Sequence, residues 1–135
     1  MKRLPMPTAK IVVVDDDADF RQLLVTLVQL DPRLCVSGQA SDGETALELV
    51  WREAPSLVLM DLMMPRLDGL EATRRIKRVV PEIKVIILSS VADPQHRRLA
   101  YDSGADVFID KRDMVTTLLA TIRTLVPRTE EAGTD

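Results

Sequence analysis

One stretch of the chain decides the fold: residues 56–69 read SLVLMDLMMPRLDG. The four apolar residues before Asp61 predict a buried strand, which Asp61 ends. Pro65 marks a turn, and Asp68 followed by Gly69 begins a helix. In open α/β folds the carboxyl ends of the strands carry the ligands and the chemistry. Asp61 therefore stands where a reactive carboxylate is expected.

The composition is that of one globular domain. The chain has 135 residues, of which 46% are hydrophobic and 29% are charged, and this balance excludes wholesale disorder. A net charge of -3 gives no support for general nucleic-acid binding. The single Cys, Cys35, excludes a disulfide within the chain and is interpreted as a packing residue.

No segment of the sequence predicts a membrane span or a signal peptide. Apolar runs fall well short of the ~18 residues that a span requires. The run at 11–14 is also too short for a signal peptide and leads into three acidic residues. We therefore expect a soluble, cytoplasmic protein without membrane contact. Residues 10–126 should form the domain, between a lead-in at 1–9 and a polar tail at 127–135.

Strand-like and helix-like segments alternate along the chain. We predict strands at residues 10–14, 34–40, 57–60, 84–88 and 107–109. A helix follows each strand, and the predicted helix caps are Asp17, Ser41, Asp68, Asp93 and Asp113. Pro32, Pro55 and Pro81 end the first three helices, and Gly104 ends the fourth.

Five alternating strand–helix units predict a parallel sheet with helices on both faces, which is a doubly wound α/β fold. The first, third and fourth strands are the most uniformly apolar and should be central. Right-handed crossovers then favour the strand order 2-1-3-4-5. The switch point of this order lies between the first and third strands, so Asp15, Asp16 and Asp61 should meet there.

The acidic residues at this edge suit a hard cation. Carboxylates that lie close together raise one another's pKa unless a cation joins them. Oxygen ligands without His or Cys favour Mg²⁺. Ser89 and Lys111 follow the next two strands, so a hydroxyl and an ammonium should lie near Asp61. A carboxylate nucleophile, a Mg²⁺ site, a hydroxyl and an ammonium form a coherent set for phosphoryl transfer.

Each of these residues also has a purely structural explanation. Acids at strand ends commonly cap helices, Ser89 is a usual turn residue, and a single Lys111 is usually a solvated side chain. Their position on the same rim of one predicted sheet favours the functional interpretation. The basic run at 74–78 in the third helix is interpreted as a solvated face.

Five motifs resemble the receiver domain of two-component response regulators. They are VVDD at 13–16, DLMMPRLDG at 61–69, LSS at 88–90, GAD at 104–106 and FIDK at 108–111. The resemblance covers about residues 8–126 and implies the flavodoxin-like (αβ)5 receiver fold. The second and third helices are most like those of receivers that precede a helix-turn-helix domain of the LuxR/NarL type. We expect DNA contact only through an output domain, which this sequence does not contain.

The resemblance assigns the central chemistry to Asp61. It implies that Asp61 accepts a phosphoryl group from a sensor histidine kinase or a phosphotransfer protein and becomes an acyl phosphate. Asp16, Asp61 and the main-chain carbonyl of Met63 are the implied Mg²⁺ ligands, and Asp15 acts through a water. Lys111 is implied to pair with the phosphoryl group. The domain is not expected to be an enzyme beyond slow loss of that group.

The resemblance also implies a conformational switch. Ser89 binds a phosphoryl oxygen and shifts inward, and Phe108 follows by changing its rotamer. This movement remodels the face built from the fourth helix, the fifth strand and the fifth helix, where partners read the signal. A homodimer that forms on phosphorylation is a possible outcome of this change.

Three consecutive aspartates leave two assignments of the metal-binding pair. We assign Asp15 and Asp16 to the metal site, because Asp17 suits the cap of the following helix. The alternative pair is Asp16 and Asp17. Arg112 follows Lys111 where many receivers have Pro, so a cis peptide bond is not expected there.

Three other functions are compatible with parts of the pattern. A Mg²⁺-dependent phosphatase with an aspartyl nucleophile usually has a second carboxylate two residues after the nucleophile, where this chain has Met63. A pseudo-receiver would be an interaction module that is never phosphorylated. A flavin carrier of the same fold is disfavoured, because the turn after the first strand is acidic.

Overall fold

The computed structural model describes residues 9–126, so the predicted tail and residues 1–8 of the predicted lead-in lie outside the described part. The strands are β1 (Ala9–Val14), β2 (Leu34–Ala40), β3 (Leu57–Asp61), β4 (Lys84–Ser89) and β5 (Val107–Asp110). The helices are α1 (Ala18–Val28), α2 (Gly43–Glu53), α3 (Gly69–Val79), α4 (Pro94–Asp102) and α5 (Met114–Leu125), with a short 3₁₀ helix (Lys111–Asp113) before α5. Every predicted strand and helix is present.

The five strands form one parallel sheet in the order β2-β1-β3-β4-β5, as predicted. The central strands are almost entirely apolar because both of their faces are covered by helices. All five residues of β3 are buried, and this strand ends at Asp61. The fold is therefore the predicted doubly wound, flavodoxin-like arrangement.

The core consists of two apolar layers, one on each face of the sheet. In β1, Val12 and Val14 point into the layer that includes residues of α2, α3 and α4. Ile11 and Val13 point the other way, into the layer that includes residues of α1 and α5. This division follows from the alternation of side chains along a strand. Packing of both layers fixes the position of each strand along its own axis. It therefore determines which residues lie at the carboxyl edge of the sheet.

Three predicted helix caps are confirmed. The carboxylate of Asp17 accepts backbone N–H groups at the start of α1, and those of Asp68 and Asp93 do the same for α3 and α4. Pro94 occupies the first turn of α4, where its missing N–H costs nothing. Gly104 follows α4 with a φ of 106°, a left-handed conformation that suits glycine.

Two predicted caps are wrong. Asp42, and not Ser41, caps α2, because Asp42 has the extended backbone of a cap and accepts the N–H of Thr45 at 2.8 Å. Asp113 precedes α5 but makes no side-chain capping bond. The 3₁₀ helix before α5 holds Asp113 in a helical backbone conformation, whereas a capping residue usually has an extended backbone.

Two glycines allow close backbone approaches at the β3–α3 connection, one to the end of β3 and one to the start of α2. A Cβ at Gly69 would overlap the carbonyl oxygen of Asp61, and a Cβ at Gly43 would overlap that of Leu67. The chain after Asp61 therefore turns back closely on β3. No helix within residues 9–126 is long and apolar enough to cross a bilayer.

Candidate functional site

The register of β1 and β3 brings two acidic residues together. The two strands pair as far as Val14 and Met60. Asp15 and Asp61 are the next residues of their strands, so both leave the sheet at the same level. Their side chains meet at the predicted switch point of the fold.

The same register places two further predicted residues along this edge. Asp61 pairs with Leu88 in β4, so Ser89 lies one position beyond Asp61. Ser89 pairs in turn with Asp110 in β5, and Lys111 follows directly. In each case the predicted residue lies on the next strand of the sheet, one position beyond the residue that pairs with its neighbour. The carboxyl edge therefore carries the predicted carboxylates, hydroxyl and ammonium in sequence.

Asp15, Asp16 and Asp61 form a compact acidic cluster. One carboxylate oxygen from each lies within 4.8 Å of those of the other two. Asp15 and Asp61 are buried, whereas Asp16 is exposed at the mouth of the cluster. Asp15 Oδ1 also accepts the backbone N–H of Asp17 at 2.9 Å, which fixes one of its oxygens.

Asp17 lies outside the acidic cluster. Its Oδ1 accepts the N–H groups of Asp19 and Phe20 at 3.0 and 3.2 Å, which is the geometry of a helix cap. Of the two pairs of neighbouring aspartates considered from the sequence, the structure therefore brings Asp15 and Asp16 to Asp61.

Lys111 lies against the cluster as its ammonium partner. Its Nζ is 2.9 Å from Asp15 Oδ2 and 3.2 Å from Asp61 Oδ1, and its side chain is only 16% exposed. The 3₁₀ helix that begins at Lys111 is held by Asp110, whose carboxylate accepts the N–H of Arg112 at 2.9 Å. Hydrogen bonds from the side chain of Arg112, which has the largest effect, and from its backbone N–H lower the pKa of Asp110 to about 2. All peptide bonds of residues 9–126 are trans.

The electrostatics of the cluster disfavour a negative charge on Asp61 when no cation is bound. Burial raises the pKa of Asp61 to about 7, and the charge of Asp15 adds to this effect, while Lys111 opposes it. Burial lowers the pKa of Lys111, but its hydrogen bond to Asp15 and the charges of both carboxylates outweigh burial and raise it. One ammonium therefore does not balance the carboxylates, and the cluster is short of positive charge.

The donor set fits a hard divalent cation. The cluster offers carboxylate oxygens from Asp15, Asp16 and Asp61, and no His or Cys belongs to it. Magnesium prefers oxygen ligands and retains several waters, which the exposed position of Asp16 allows. A divalent cation would also supply the positive charge that Lys111 alone does not provide. Met63 lies in the loop after β3 and is 59% exposed.

Ser89 ends β4 beside the cluster and is buried. Its Oγ accepts the backbone N–H of Val91 at 2.9 Å. This bond ties the hydroxyl to the start of the β4–α4 loop. A change in the position of the hydroxyl would therefore be felt by the loop, because the two are directly bonded.

Phe108 is buried in β5 below a cation. The guanidinium carbon of Arg97 lies 4.9 Å from the centre of the Phe108 ring. Arg97 Nε also donates to the carbonyl oxygen of Ala92 in the β4–α4 loop at 3.1 Å. The backbone N–H of Phe108 donates to the hydroxyl of Tyr101 at 3.1 Å. Contacts of α4 thus connect the loop that follows Ser89 with β5.

The sequence interpretation missed two contacts near the cluster. The ring centre of Phe20, a residue of α1, lies 4.2 Å from Lys111 Nζ. Arg21 donates to the main-chain carbonyl of Asp15 at 2.7 Å. Neither contact has a local sequence signal, because an ordinary amphipathic helix pattern accounts for both residues. Only the packing of α1 beside the strand ends reveals them.

Comparison with known proteins gives the same fold and the same family. Residues 11–123 match the family described as "Response regulator receiver domain". A protein-glutamate methylesterase/protein-glutamine glutaminase of Myxococcus xanthus is 46% identical over 112 residues, which cover 82% of this chain and 31% of that protein. The chain spans about half the length of two further relatives, a probable transcriptional regulator of Porphyridium aerugineum and a response regulator of Mycobacterium leprae.

Solved structures agree with this assignment. A two-component response regulator of the LuxR family from Aurantimonas sp. has a TM-score of 0.83 and 28% identity, covering 87% of this chain and 84% of that one. A BeF3-activated receiver domain of DrrB has a TM-score of 0.78 and 30% identity, covering 87% and 97%. The chain belongs to the response regulator receiver domain family, whose members serve phosphorylation-dependent signalling in two-component systems.

Proposed function

We propose that this protein is a phosphorylation-dependent switch in which Asp61 accepts a phosphoryl group. The donor is a sensor histidine kinase or a phosphotransfer protein. The observation that carries the proposal is the buried pair of Asp15 and Asp61 beside a single ammonium from Lys111. This pair combines a carboxylate nucleophile with a cation at hydrogen-bond distance. The receiver is assigned to residues 10–126.

The proposed reaction is a transfer of one phosphoryl group. A carboxylate oxygen of Asp61 forms a bond to phosphorus as the bond between phosphorus and the donor's imidazole nitrogen breaks. The electron pair of the broken bond stays on that nitrogen. The ring leaves as neutral imidazole, because its other nitrogen carries a proton or the departing nitrogen takes one from water. The product on this chain is a mixed anhydride of Asp61 and phosphate. Hydrolysis by water returns the carboxylate.

Lys111 has two successive partners in this proposal. Before transfer it neutralises part of the charge of Asp15 and Asp61, at 2.9 and 3.2 Å. After transfer it pairs with the phosphoryl oxygens that Asp61 carries. Its raised pKa keeps the ammonium charged throughout the physiological range. Positioning and charge neutralisation supply most of the catalysis in phosphoryl transfer.

Magnesium is the cofactor that we infer for the acidic cluster. Asp16, Asp61 and the main-chain carbonyl of Met63 would hold it directly, and Asp15 would act through a water. The ion, when bound, neutralises the phosphoryl charge and the carboxylates together. Support comes from the oxygen-only donor set and from the charge imbalance around Asp61.

The output of the switch is inferred to be the face of α4, β5 and α5. Ser89 would bind a phosphoryl oxygen and shift inward, and Phe108 would follow. The bond from Val91 to Ser89 and the contacts of Arg97 give this movement a physical path. Partners that read this face, including a second copy of the chain, would act in the cytoplasm. DNA would be reached only through an attached output domain.

One neighbour supports the phosphoryl assignment by its ligand. The DrrB receiver, at 30% identity, is described as activated by BeF3. Beryllofluoride has the shape and charge of a phosphoryl group. A related receiver therefore takes a phosphoryl mimic, and we carry this property over as part of the proposal. Relatives with different names, such as a protein-glutamate methylesterase and a probable transcriptional regulator, are matched only over part of their length.

The phosphatase alternative receives no support from the loop after Asp61. Its general acid would stand at Met63, whose thioether has no proton to donate. The absence of a carboxylate at this position also favours a long-lived acyl phosphate on Asp61, because no general base there activates a water for hydrolysis. A lasting modification suits a switch better than a turnover catalyst.

Intact-mass spectrometry after incubation with acetyl phosphate and Mg²⁺ tests the proposed function. The wild type should gain one phosphoryl group, and EDTA or Asp61→Asn should prevent the gain. Asp68→Asn is a matched control, since it changes an acid of the same loop and keeps a capping side chain. An equal gain in Asp61→Asn would contradict the proposal. Steady hydrolysis of a phosphomonoester would favour the phosphatase, and no reaction would favour an interaction module.

A further inference from the structure

The ring of Phe20 lies against the ammonium of the site. Lys111 Nζ is 4.2 Å from the ring centre, within the range of a cation–π contact. Phe20 is in the first turn of α1, where its N–H is bonded to the cap residue Asp17. Its side chain also packs against the apolar layer between the sheet and helices α1 and α5. The cap and the core therefore fix the position of the ring.

Three groups hold the ammonium of Lys111 in place. Two of them, Asp15 and Asp61, are carboxylates, and their electrostatic attraction for the ammonium depends on their charge. Any cation bound by these carboxylates weakens that attraction, because it neutralises the charge that attracts the ammonium. The attraction of the ring comes from its fixed quadrupole and does not change when the carboxylates are neutralised.

We infer that Phe20 is a positioning residue for phosphoryl transfer, one that holds the Lys111 ammonium beside Asp61 when the carboxylates are occupied by a cation. This inference rests on the proposed function of Asp61. Lysine is well suited to such an arrangement, since its long stem is flexible and its charge is not directional. Without a third partner, neutralised carboxylates would allow the ammonium to move into solvent.

A simple packing role for Phe20 predicts different behaviour. If the ring only fills space, Leu and Tyr at position 20 should both alter the reaction in proportion to the packing that they disturb. If the face of the ring attracts the ammonium, Tyr should preserve the reaction and Leu should not. Asp15, Asp16 and Asp61 are unchanged in both variants, so the affinity for Mg²⁺ should stay the same.

Three measurements on wild type, Phe20→Leu and Phe20→Tyr test the inference. The first is the rate of modification by acetyl phosphate at saturating Mg²⁺. The second is the Mg²⁺ dissociation constant from calorimetry. The third is the NMR shift of the Lys111 ε-methylene protons in the Mg²⁺-loaded protein, which a ring face moves upfield. We expect Phe20→Leu to react about 2–5-fold more slowly and Phe20→Tyr to stay within about two-fold of wild type.

The outcomes separate the inference from the proposed function. Slow reaction and loss of the upfield shift in Phe20→Leu, with unchanged Mg²⁺ affinity, support the role of Phe20. Equal rates in all three proteins, or equal losses in both variants, overturn it. If the wild type is not modified at all, the proposed function fails, and the NMR shift alone decides. An upfield shift that persists with Mg²⁺ then supports the positioning of Lys111, and its disappearance overturns it.

Discussion

Two buried carboxylates at opposite ends of the sheet differ in their electrostatics. Asp31 lies before β2 at the amino edge and is 2% exposed, and Asp61 ends β3 at the carboxyl edge and is 6% exposed. Burial raises the pKa of Asp31, but its bonds to Arg33 and Arg123 outweigh burial and lower it. The pKa of Asp61 is instead raised to about 7.

Burial raises the pKa of both carboxylates, but only at Asp31 do the partners outweigh it. Asp31 accepts the N–H of Arg33 at 2.9 Å and the guanidinium of Arg123 at 3.0 Å, so its charge is more than balanced. Asp61 shares a single ammonium with Asp15 and lies beside Asp16. The cost of burying a charge is therefore offset by the partners of Asp31 and is not offset at Asp61. At the carboxyl edge, a bound cation would offset the negative charge that the partners of Asp61 leave uncompensated.

The largest expected loss of stability comes from removing the balanced carboxylate. Asp31→Ala should lower the free energy of unfolding by about 2 kcal/mol at pH 7, because it removes the carboxylate that the part-buried N–H of Arg33 and the guanidinium of Arg123 bind. Arg123→Met removes only one partner and should cost about 1 kcal/mol. Urea unfolding measures both. If Asp31→Ala lowers the free energy of unfolding no more than Arg123→Met does, the conclusion that several partners stabilise the charge of Asp31 is wrong.

Replacing the unbalanced carboxylate, Asp61, should increase the free energy of unfolding, whereas replacing Asp31 should decrease it. In EDTA, folded Asp61 binds a proton up to a pH of about 7, whereas its unfolded value is 3.8. The folded state thus holds more protons between these values, and stability falls as pH rises from 4 to about 7. Asp61→Asn removes this loss and should be more stable than wild type by about 2 kcal/mol at pH 8.

Urea unfolding at several pH values, with and without Mg²⁺, checks this second prediction. Wild type should lose stability with rising pH more steeply than Asp61→Asn, and Mg²⁺ should restore part of that loss at pH 8 through binding to the native state. Because Asp31 has a lowered pKa, its contribution persists down to pH 4 and does not interfere. Identical pH profiles for the two proteins would show that Asp61 carries no electrostatic cost.

The sequence could predict those parts of this comparison that depend on local patterns. Uniform apolar runs predict the central strands, and carboxylates directly after them identify Asp15 and Asp61. The cap of α2 was less predictable, because Ser41 and Asp42 are adjacent and both side chains can cap. Asp113 was misassigned because the 3₁₀ helix before α5 leaves no sequence signal of its own.

Contacts between distant parts of the chain could not be predicted from the sequence. Lys111 and Phe20 are brought together by the docking of α1 against the strand ends. Arg123 reaches Asp31 across 92 positions of the chain, from α5 to the β2 end of the sheet. Such pairs depend on helix orientation and side-chain rotamers, which hydrophobic patterns do not specify. The balance of charge at each end of the sheet is therefore a property of the fold.

A smaller effect concerns backbone strain at the same two ends. Arg66, in the β3–α3 loop, and Ala54, at the end of α2, have positive φ angles of 67° and 48°. Glycine relieves this strain but adds entropy to the unfolded chain, so Arg66→Gly and Ala54→Gly should each stabilise by about 0.5–1 kcal/mol. Thermal unfolding measures both. Destabilisation by Arg66→Gly alone would mean that its side chain has a role in the loop beyond strain.

The smallest effects compare two aspartates at helix starts. Asp93 caps α4 and accepts the N–H of His96 at 2.8 Å, so Asp93→Ala should cost about 1 kcal/mol. Asp113→Ala should change stability by less than about 0.5 kcal/mol, because Asp113 makes no side-chain capping bond. Urea unfolding separates the two values. A larger loss in Asp113→Ala would contradict the observed geometry at the start of α5.

Chemical trapping of the modified residue tests the phosphoacceptor assignment most directly. Borohydride reduces an acyl phosphate of aspartate to homoserine, and peptide mass spectrometry then locates the change. After treatment with acetyl phosphate and Mg²⁺, we predict homoserine at position 61 and intact aspartates at positions 15 and 16. Homoserine at another acid, or an unreduced Asp61 in a protein that has gained phosphate, would contradict the assignment of Asp61 as the phosphoacceptor.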